Sequence, residues 1–354
     1  MKRRVSIVVA VAMLAMFVTS CEALCPSATS TSAEEVVTPP LRRARIVFLG
    51  DVMAHTPQLN AARRGNGYDF SAVFRYVKPI FAKADLVVAN LETTLADRPP
   101  YGGYPLFRTP AELAQAASEA GVSVMVTANN HSLDAGADGV RETLRILDRC
   151  GIGHTGTSAT SEVCDPFFAD CGGVRIALLN YTYGTNGIAT PASVSVNRID
   201  TVAMARDIAR CADADVRICF LHWGSEYARR PLVEQRLLRD FLRRHGVAVV
   251  IGSHPHVVQR AECTADDVVV YSLGNFVSNQ SERYTDGGVI AAVDIVEIEK
   301  GEFDYLLDII PVWVHRPDYA VLPSSVGNTM KMDAAQREAY TRFMHDTEQI
   351  FRKM

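Results

Sequence analysis

The chain has 354 residues and a formal net charge of -4, with 36 Lys and Arg against 40 Asp and Glu. That length suits one large or two ordinary domains, and the mild acidity argues against nucleic acid as the main partner. Hydrophobic residues at 48% and charged residues at 21% are the composition of a soluble globular protein.

The first segment, residues 1–20, has a basic start (Lys2, Arg3, Arg4) and an apolar run from Val5 to Val18. That pattern predicts an export signal, and the run is too short for a comfortable transmembrane helix. It ends in Val18-Thr19-Ser20-Cys21, which resembles a bacterial lipobox with Cys21 as the acylated residue. A plain signal peptide cut nearby, or an uncleaved anchor, is the other reading. Acyl chains on Cys21 would hold the chain to a membrane without spanning it, so the expectation is an exported envelope lipoprotein. Residues 21–44 are rich in Ser, Thr, Ala and Pro without apolar periodicity, and read as a flexible tether.

From residue 45 onward apolar runs recur, and many end in the same chemistry. "RIVFLGD" ends at Asp51, "DLVVANLE" at Asn90 and Glu92, and "VSVMVTANNH" at Asn129, Asn130 and His131. "VRICFLHWGSEY" reaches His222 and Glu226, "VAVVIGSHPH" ends at His254 and His256, and "VVVYSLGNF" reaches Asn275. Helical patterns lie between them: "AELAQAASEAG", "GVRETLRILDRCG" and "VEQRLLRDFLRRHG", each stopped by a glycine. Alternating strand and helix predicts an α/β fold. The tail from about Asp333 reads as an amphipathic helix packing on the domain, with Tyr340, Phe343 and Ile350 near one stripe.

In α/β sheets ligands gather beyond the carboxyl ends of the strands. Six such ends bearing Asp, Glu, Asn and His therefore predict one converging site. Each alone has a structural reading, since a single strand-end Asp is often a turn or cap residue. Carboxylate, amide oxygen and imidazole together are the ligand set of Mn, Fe, Zn or Mg. In "GSHPH", Pro255 favours an extended segment, which would send the His254 and His256 rings to one side. Of the eight cysteines, Cys164 with Cys171, or Cys211 with Cys219, could bridge; the connectivity stays open.

In order, "GDVM", "NLE", "TANNHSLDAG", "HWGSEY", "GSHPHVVQ" and "YSLGNF" resemble the CapA-type poly-γ-glutamate capsule biosynthesis proteins, a family similar to the calcineurin-like metallophosphoesterases. The resemblance spans residues 45–316 and leaves 317–354 as a C-terminal extension. It implies a four-layer α/β/β/α sandwich of two mixed sheets, with the site at one end. It also implies that Asp51, Glu92 and His256 hold one divalent ion, and that Glu92, Asn130, His222 and His254 hold a second. The ion would be Mn, Zn or Fe, with one or both places filled. His131 takes the position of a group that stabilises charge or protonates the leaving group; Asp134, three residues on, could orient it.

One departure stands out. Metallophosphoesterases begin Asp-x-His, and here Met53 occupies the imidazole position, with His55 nearby reading as a loop histidine. Trp223, Glu226, Tyr227 and Asn275 are possible pocket residues; each also has a packing or loop reading. Arg229 and Arg230 could meet an anionic polymer or simply be surface. The functional expectation is a membrane-tethered protein that makes or processes cell-surface poly-γ-glutamate, as a metal-dependent hydrolase or transferase. Its partners would be an anionic polymer or its precursor and subunits of a membrane synthase. A non-catalytic scaffold of that synthase, or an envelope phosphoesterase with another substrate, are the alternatives.

Overall fold

A computed structural model describes residues 41–352. The export segment, Cys21 and nearly all of the tether lie outside the described residues. Strand Arg43–Val52 begins just inside the stretch expected as tether.

Alternation along this strand shows how the layers form. Ile46 and Phe48 belong to one apolar cluster, whereas Val47 and Leu49 belong to another. Successive side chains on a strand point to opposite faces, so both faces of this sheet are buried. The same alternation recurs in strand Val216–His222. There Val216, Ile218 and Phe220 join the cluster of Ile46 and Phe48, while Cys219 and Leu221 face away. The shared cluster is the seam between two sheets, and the Phe48 and Phe220 rings meet across it with centroids 6.5 Å apart.

The first sheet runs Ala320–Pro323, Glu302–His315, Gly287–Glu299, Arg43–Val52, Leu86–Leu91, Val124–Val126, Gly153–Thr155, with Asn275–Val277 also paired to Arg43–Val52. The second runs Phe167–Cys171, Val174–Thr182, Val216–His222, Val249–Ser253, Val268–Val270, Ala261–Cys263. Each mixes parallel and antiparallel pairs. Helices Glu112–Ala120 and Gly136–Arg149 cover the outer face of the first sheet through Leu113, Ala117, Ile146 and Leu147. Helices Thr201–Ala209 and Val233–Arg244 cover the second through Met204, Ile208 and Leu242. The result is the expected α/β/β/α sandwich of two mixed sheets. Fully burying one large aliphatic side chain contributes about 1.5–3 kcal/mol, so these clusters are the main source of stability.

Three local expectations change. "VVVYSLGNF" is not one strand: Val268–Val270 pairs in the second sheet and Asn275–Val277 in the first. The chain crosses between sheets at Gly274, whose φ is 69°. An uninterrupted apolar run hides that break, because both halves are buried. Second, the six cysteines among the described residues, including Cys164, Cys171, Cys211 and Cys219, are free thiols. Third, residues 317–352 are continuous with the fold. Ala320–Pro323 is a strand of the first sheet, and helix Ala334–Phe351 packs Tyr340, Phe343 and Met344 on Trp313 and Leu322. Among the described residues no helix is long and apolar enough to cross a membrane.

Candidate metal centre

The parallel strands of both sheets deliver their carboxyl ends to one place. Asp51 lies at the end of the first strand, opposite Asn275 and Asn90 in its two neighbours. Glu92 follows Leu86–Leu91, and its N–H donates to Val52 O at 3.0 Å. Asn129, Asn130 and His131 follow Val124–Val126. From the second sheet, His222 closes Val216–His222, and His254 and His256 follow Val249–Ser253. All of these side chains are buried.

The His254–His256 segment is not extended. His254 has φ 96° and His256 φ 57°, backbone that non-glycine residues rarely adopt. Such conformations cost on the order of 1–3 kcal/mol each and persist where the surroundings over-determine them. Here the surroundings are visible. Gly252 packs so tightly that an added Cβ would sit 2.0 Å from Tyr271 O and 2.3 Å from Trp223 Nε1. Tyr227 N–H donates to Pro255 O at 2.8 Å, which latches the two loops together. The rings do share one site, through turn geometry rather than strand alternation.

Two groups of donors result. Glu92, His222 and His254 place one ligand atom each within 4.8 Å of one another, and so do Asp51, Glu92 and His256. Glu92 belongs to both, as a bridging carboxylate must. Its Oε1 lies 3.6 Å from His222 Nε2 and 3.8 Å from His256 Nε2, too far for hydrogen bonds. Neither Glu92 oxygen has a hydrogen-bond partner among the described residues, nor does His254 Nδ1. Burial, then the Asp51 carboxylate, pushes Glu92 well above the usual carboxylate range. Burial, then His254, holds His222 well below the ordinary imidazole value, and burial takes His254 down to about 3. Neutral imidazoles around an unpartnered carboxylate are the donor set of a divalent cation, so the residues fit one.

The neighbours orient these donors. His222 Nδ1 lies 3.0 Å from Ser253 Oγ and 3.3 Å from Asn90 Nδ2, and its Nε2 lies 2.7 Å from Asn130 Oδ1. Asn90 Nδ2 donates to Asp51 Oδ1 at 2.8 Å. The other Asp51 oxygen lies 3.1 Å from His256 Nδ1, which is also 3.1 Å from Asn275 Oδ1. Asn275 therefore buttresses His256, and its own Nδ2 donates to Thr285 O at 2.8 Å. Partners of this kind fix ring orientation and tune the ligand.

His131 sits beside this centre. Its Nδ1 is 2.7 Å from Asp134 Oδ2, which also accepts from Phe107 N–H at 2.7 Å. The Phe107 ring meets His131 edge-on at 4.7 Å and His55 edge-on at 5.0 Å. Asp134 can hold the Nδ1 proton and leave Nε2 as the ring's working nitrogen.

The family described as Bacterial capsule synthesis protein PGA_cap matches residues 45–280, more than half of the chain. The chain belongs to this bacterial capsule synthesis family. It is 28% identical over 306 residues to the capsule biosynthesis protein CapA of Bacillus anthracis, covering 81% of this chain and 72% of the relative. It is 27% identical over 281 residues to the PGA biosynthesis protein CapA of Bacillus subtilis (strain 168), covering 76% and 71%. A solved phosphatase from Mycoplasma pneumoniae superposes with a TM-score of 0.48 at 14% identity, covering 77% of this chain and 94% of that one.

Within this capsule-family chain, other expected residues fall differently. Trp223 is buried, with its Nε1 donating to Tyr271 O at 2.9 Å, and it lines a pocket together with Tyr183 and Leu238. Tyr227 is exposed, its ring 6.2 Å from His256, and Glu226 beside it is exposed too. Arg229 is committed to structure: its guanidinium lies 3.8 Å above the Tyr284 ring and donates to Asp346 O. Met53 is buried, and its carbonyl accepts from Gln58 Nε2 at 2.7 Å. His55 is not a free loop side chain. It caps helix Thr56–Ala62, its N–H donating to Gln58 Oε1 at 2.8 Å, and burial lowers it to about 4.

Sequence reasoning did not single out Tyr183, whose ring lies 4.4 Å from His254 and stacks parallel to His222 at 6.3 Å. It follows strand Val174–Thr182, whose end carries no acid or imidazole to flag it. Asn186, which accepts from Asn130 Nδ2 at 3.2 Å, escaped for the same reason.

Proposed function

We propose that this capsule-family chain is a metal-dependent hydrolase or transferase of the cell envelope, acting in poly-γ-glutamate biosynthesis or processing. The carrying observation is Glu92: a fully buried carboxylate with both oxygens unpartnered, facing three imidazoles. Glu92, Asn130, His222 and His254 would hold one divalent ion, and Asp51, Glu92 and His256 another. A bound ion of this class supplies Lewis-acid polarisation and a water acidic enough to react near neutral pH. His131, aligned by Asp134, donates a hydrogen bond or proton to the leaving group from Nε2. Tyr183, with its ring against His254, walls the cleft on the second-sheet side. The reading includes export and a membrane tether through Cys21, where the substrate is a surface polymer or its precursor beside synthase subunits.

The test is metal content, then activity. Full-length protein is purified in detergent, supplied with Mn, Zn or Fe, and assayed by elemental analysis. Less than about a tenth of an equivalent under every condition overturns the metalloenzyme. Loaded protein is then offered an aryl phosphate and γ-glutamyl polymer, which separates an envelope phosphoesterase from a polymer-processing enzyme. Cys21→Ser is expected to release the protein from membranes; retention counts against the lipid anchor.

One observation favours a second reading, a scaffold subunit of a membrane polymer synthase: Met53 stands where metallophosphoesterases have an imidazole. Metal-loaded protein inert on both substrates, yet co-purifying with a synthase, would decide for it.

A further inference from the structure

Met53 leaves the ion at Asp51, Glu92 and His256 short of one donor relative to the Asp-x-His pattern. His256, one of the remaining donors, also has a neighbour from the loop after His222. A third group of potential ligands is found there: Glu226, His254 and His256 place one donor atom each within 4.8 Å of one another. Glu226 is the exposed member and the histidines are buried. The carboxylate thus approaches from solvent over buried rings carried by the loop after Val249–Ser253.

Three features single it out from an ordinary surface acid. Glu226 forms no ion pair or hydrogen bond among the described residues, although arginines follow it at 229 and 230. Its loop is fixed to the histidine loop by Tyr227 N–H to Pro255 O, with Tyr227 at φ 65°. It also shares its histidines with other carboxylates: Glu92 groups with His254, and Asp51 and Glu92 group with His256. A carboxylate held near other carboxylates without a cationic side chain is costly unless a cation joins them. The buried and unpartnered Glu92 oxygens and His254 Nδ1 point to that cation independently of Glu226.

We propose that Glu226 is the solvent-side ligand of the ion held at His256. A carboxylate ligand makes this site harder, so it prefers Mn(II) or Fe(II) to softer ions. The inference rests on the metal-centre reading above and deepens it.

The experiment is a Mn(II) titration of full-length, chelator-stripped protein in detergent. Free Mn(II) is read by electron paramagnetic resonance and bound ions by elemental analysis. Wild-type protein is expected to bind two ions. Glu226→Gln is expected to weaken one by at least about tenfold and leave the other unchanged. Glu226→His, which restores a donor without the charge, is expected to recover most of that loss. Because residue 226 is exposed, both variants should keep the wild-type thermal transition without metal. Unchanged binding in Glu226→Gln overturns the proposal. Equal weakening in Glu226→His also overturns it, since the effect would then be charge alone. Wild-type protein that binds no Mn(II) overturns the metal centre itself, and is thereby told apart from failure of Glu226.

Discussion

His222 Nε2 lies 2.7 Å from Asn130 Oδ1, and the two residues come from different sheets. His222 ends a strand of the second sheet, and Asn130 follows a strand of the first. The pair is a joint across the top of the seam, beside the Glu92 carboxylate. His222→Ala is expected to lower affinity for the first equivalent of metal by at least about 10–100-fold, as is His254→Ala. His55→Ala should leave it unchanged. Calorimetric titration of chelator-stripped protein reads this directly; equal loss in all three variants would count against the assignment.

Glu92 sets function against stability. Its folded-state carboxyl is raised, so the fold favours the protonated form. Metal-free wild-type protein therefore loses stability as pH climbs past the ordinary carboxylate range. Glu92→Gln removes that charge and is expected to stabilise the metal-free fold by about 1–3 kcal/mol at alkaline pH. The same change should nearly abolish metal binding. Urea unfolding at pH 8 with chelator gives the sign; a less stable variant would mean that Glu92 is satisfied within the protein.

The His131–Asp134 pair predicts a separation of chemistry from binding. His131→Ala is expected to lower kcat by about 10²–10⁴ with metal content unchanged. Asp134→Asn should cost less, since His131 survives with a weaker partner at Nδ1. Asp134 also accepts from Phe107 N–H, so its replacement should lower thermal stability where His131→Ala does so less. These values are to be read on whichever substrate the metal-loaded protein turns over.

His55 provides a pH test at a residue outside the proposed donor set. Burial takes it from 6.5 to about 4, so it is neutral in the fold and binds a proton more readily unfolded. Its stabilising contribution is complete above about pH 6.5 and is lost as pH falls toward 4. The loss relative to His55→Gln is expected to reach up to about 3 kcal/mol. Denaturant midpoints of both proteins across that window check it; parallel curves would show that His55 titrates normally.

The site was legible from the sequence because strand ends announce it. Asp51, Glu92, Asn130, His222, His254 and His256 each terminate an apolar run, and beyond the carboxyl ends of parallel strands is where an α/β sheet places its ligands. Tyr183 and Asn186 were invisible because their run ends in Thr182, with no ionisable group to mark it. The role of Asn275 was half visible: its loop could be guessed, but not that its Oδ1 holds His256.

Sequence alone determined the alternation of elements and which side chains of donor chemistry end the apolar runs, because periodicity and residue chemistry are local properties. Tertiary structure decided what depends on closing the sandwich. It split "VVVYSLGNF" between two sheets, turned His254 and His256 inward by left-handed backbone rather than by strand pleat, and brought Glu226 over their rings. These outcomes depend on contacts between segments far apart in the chain. No window of the sequence contains both partners, and only the packing of one sheet on the other sets their distance.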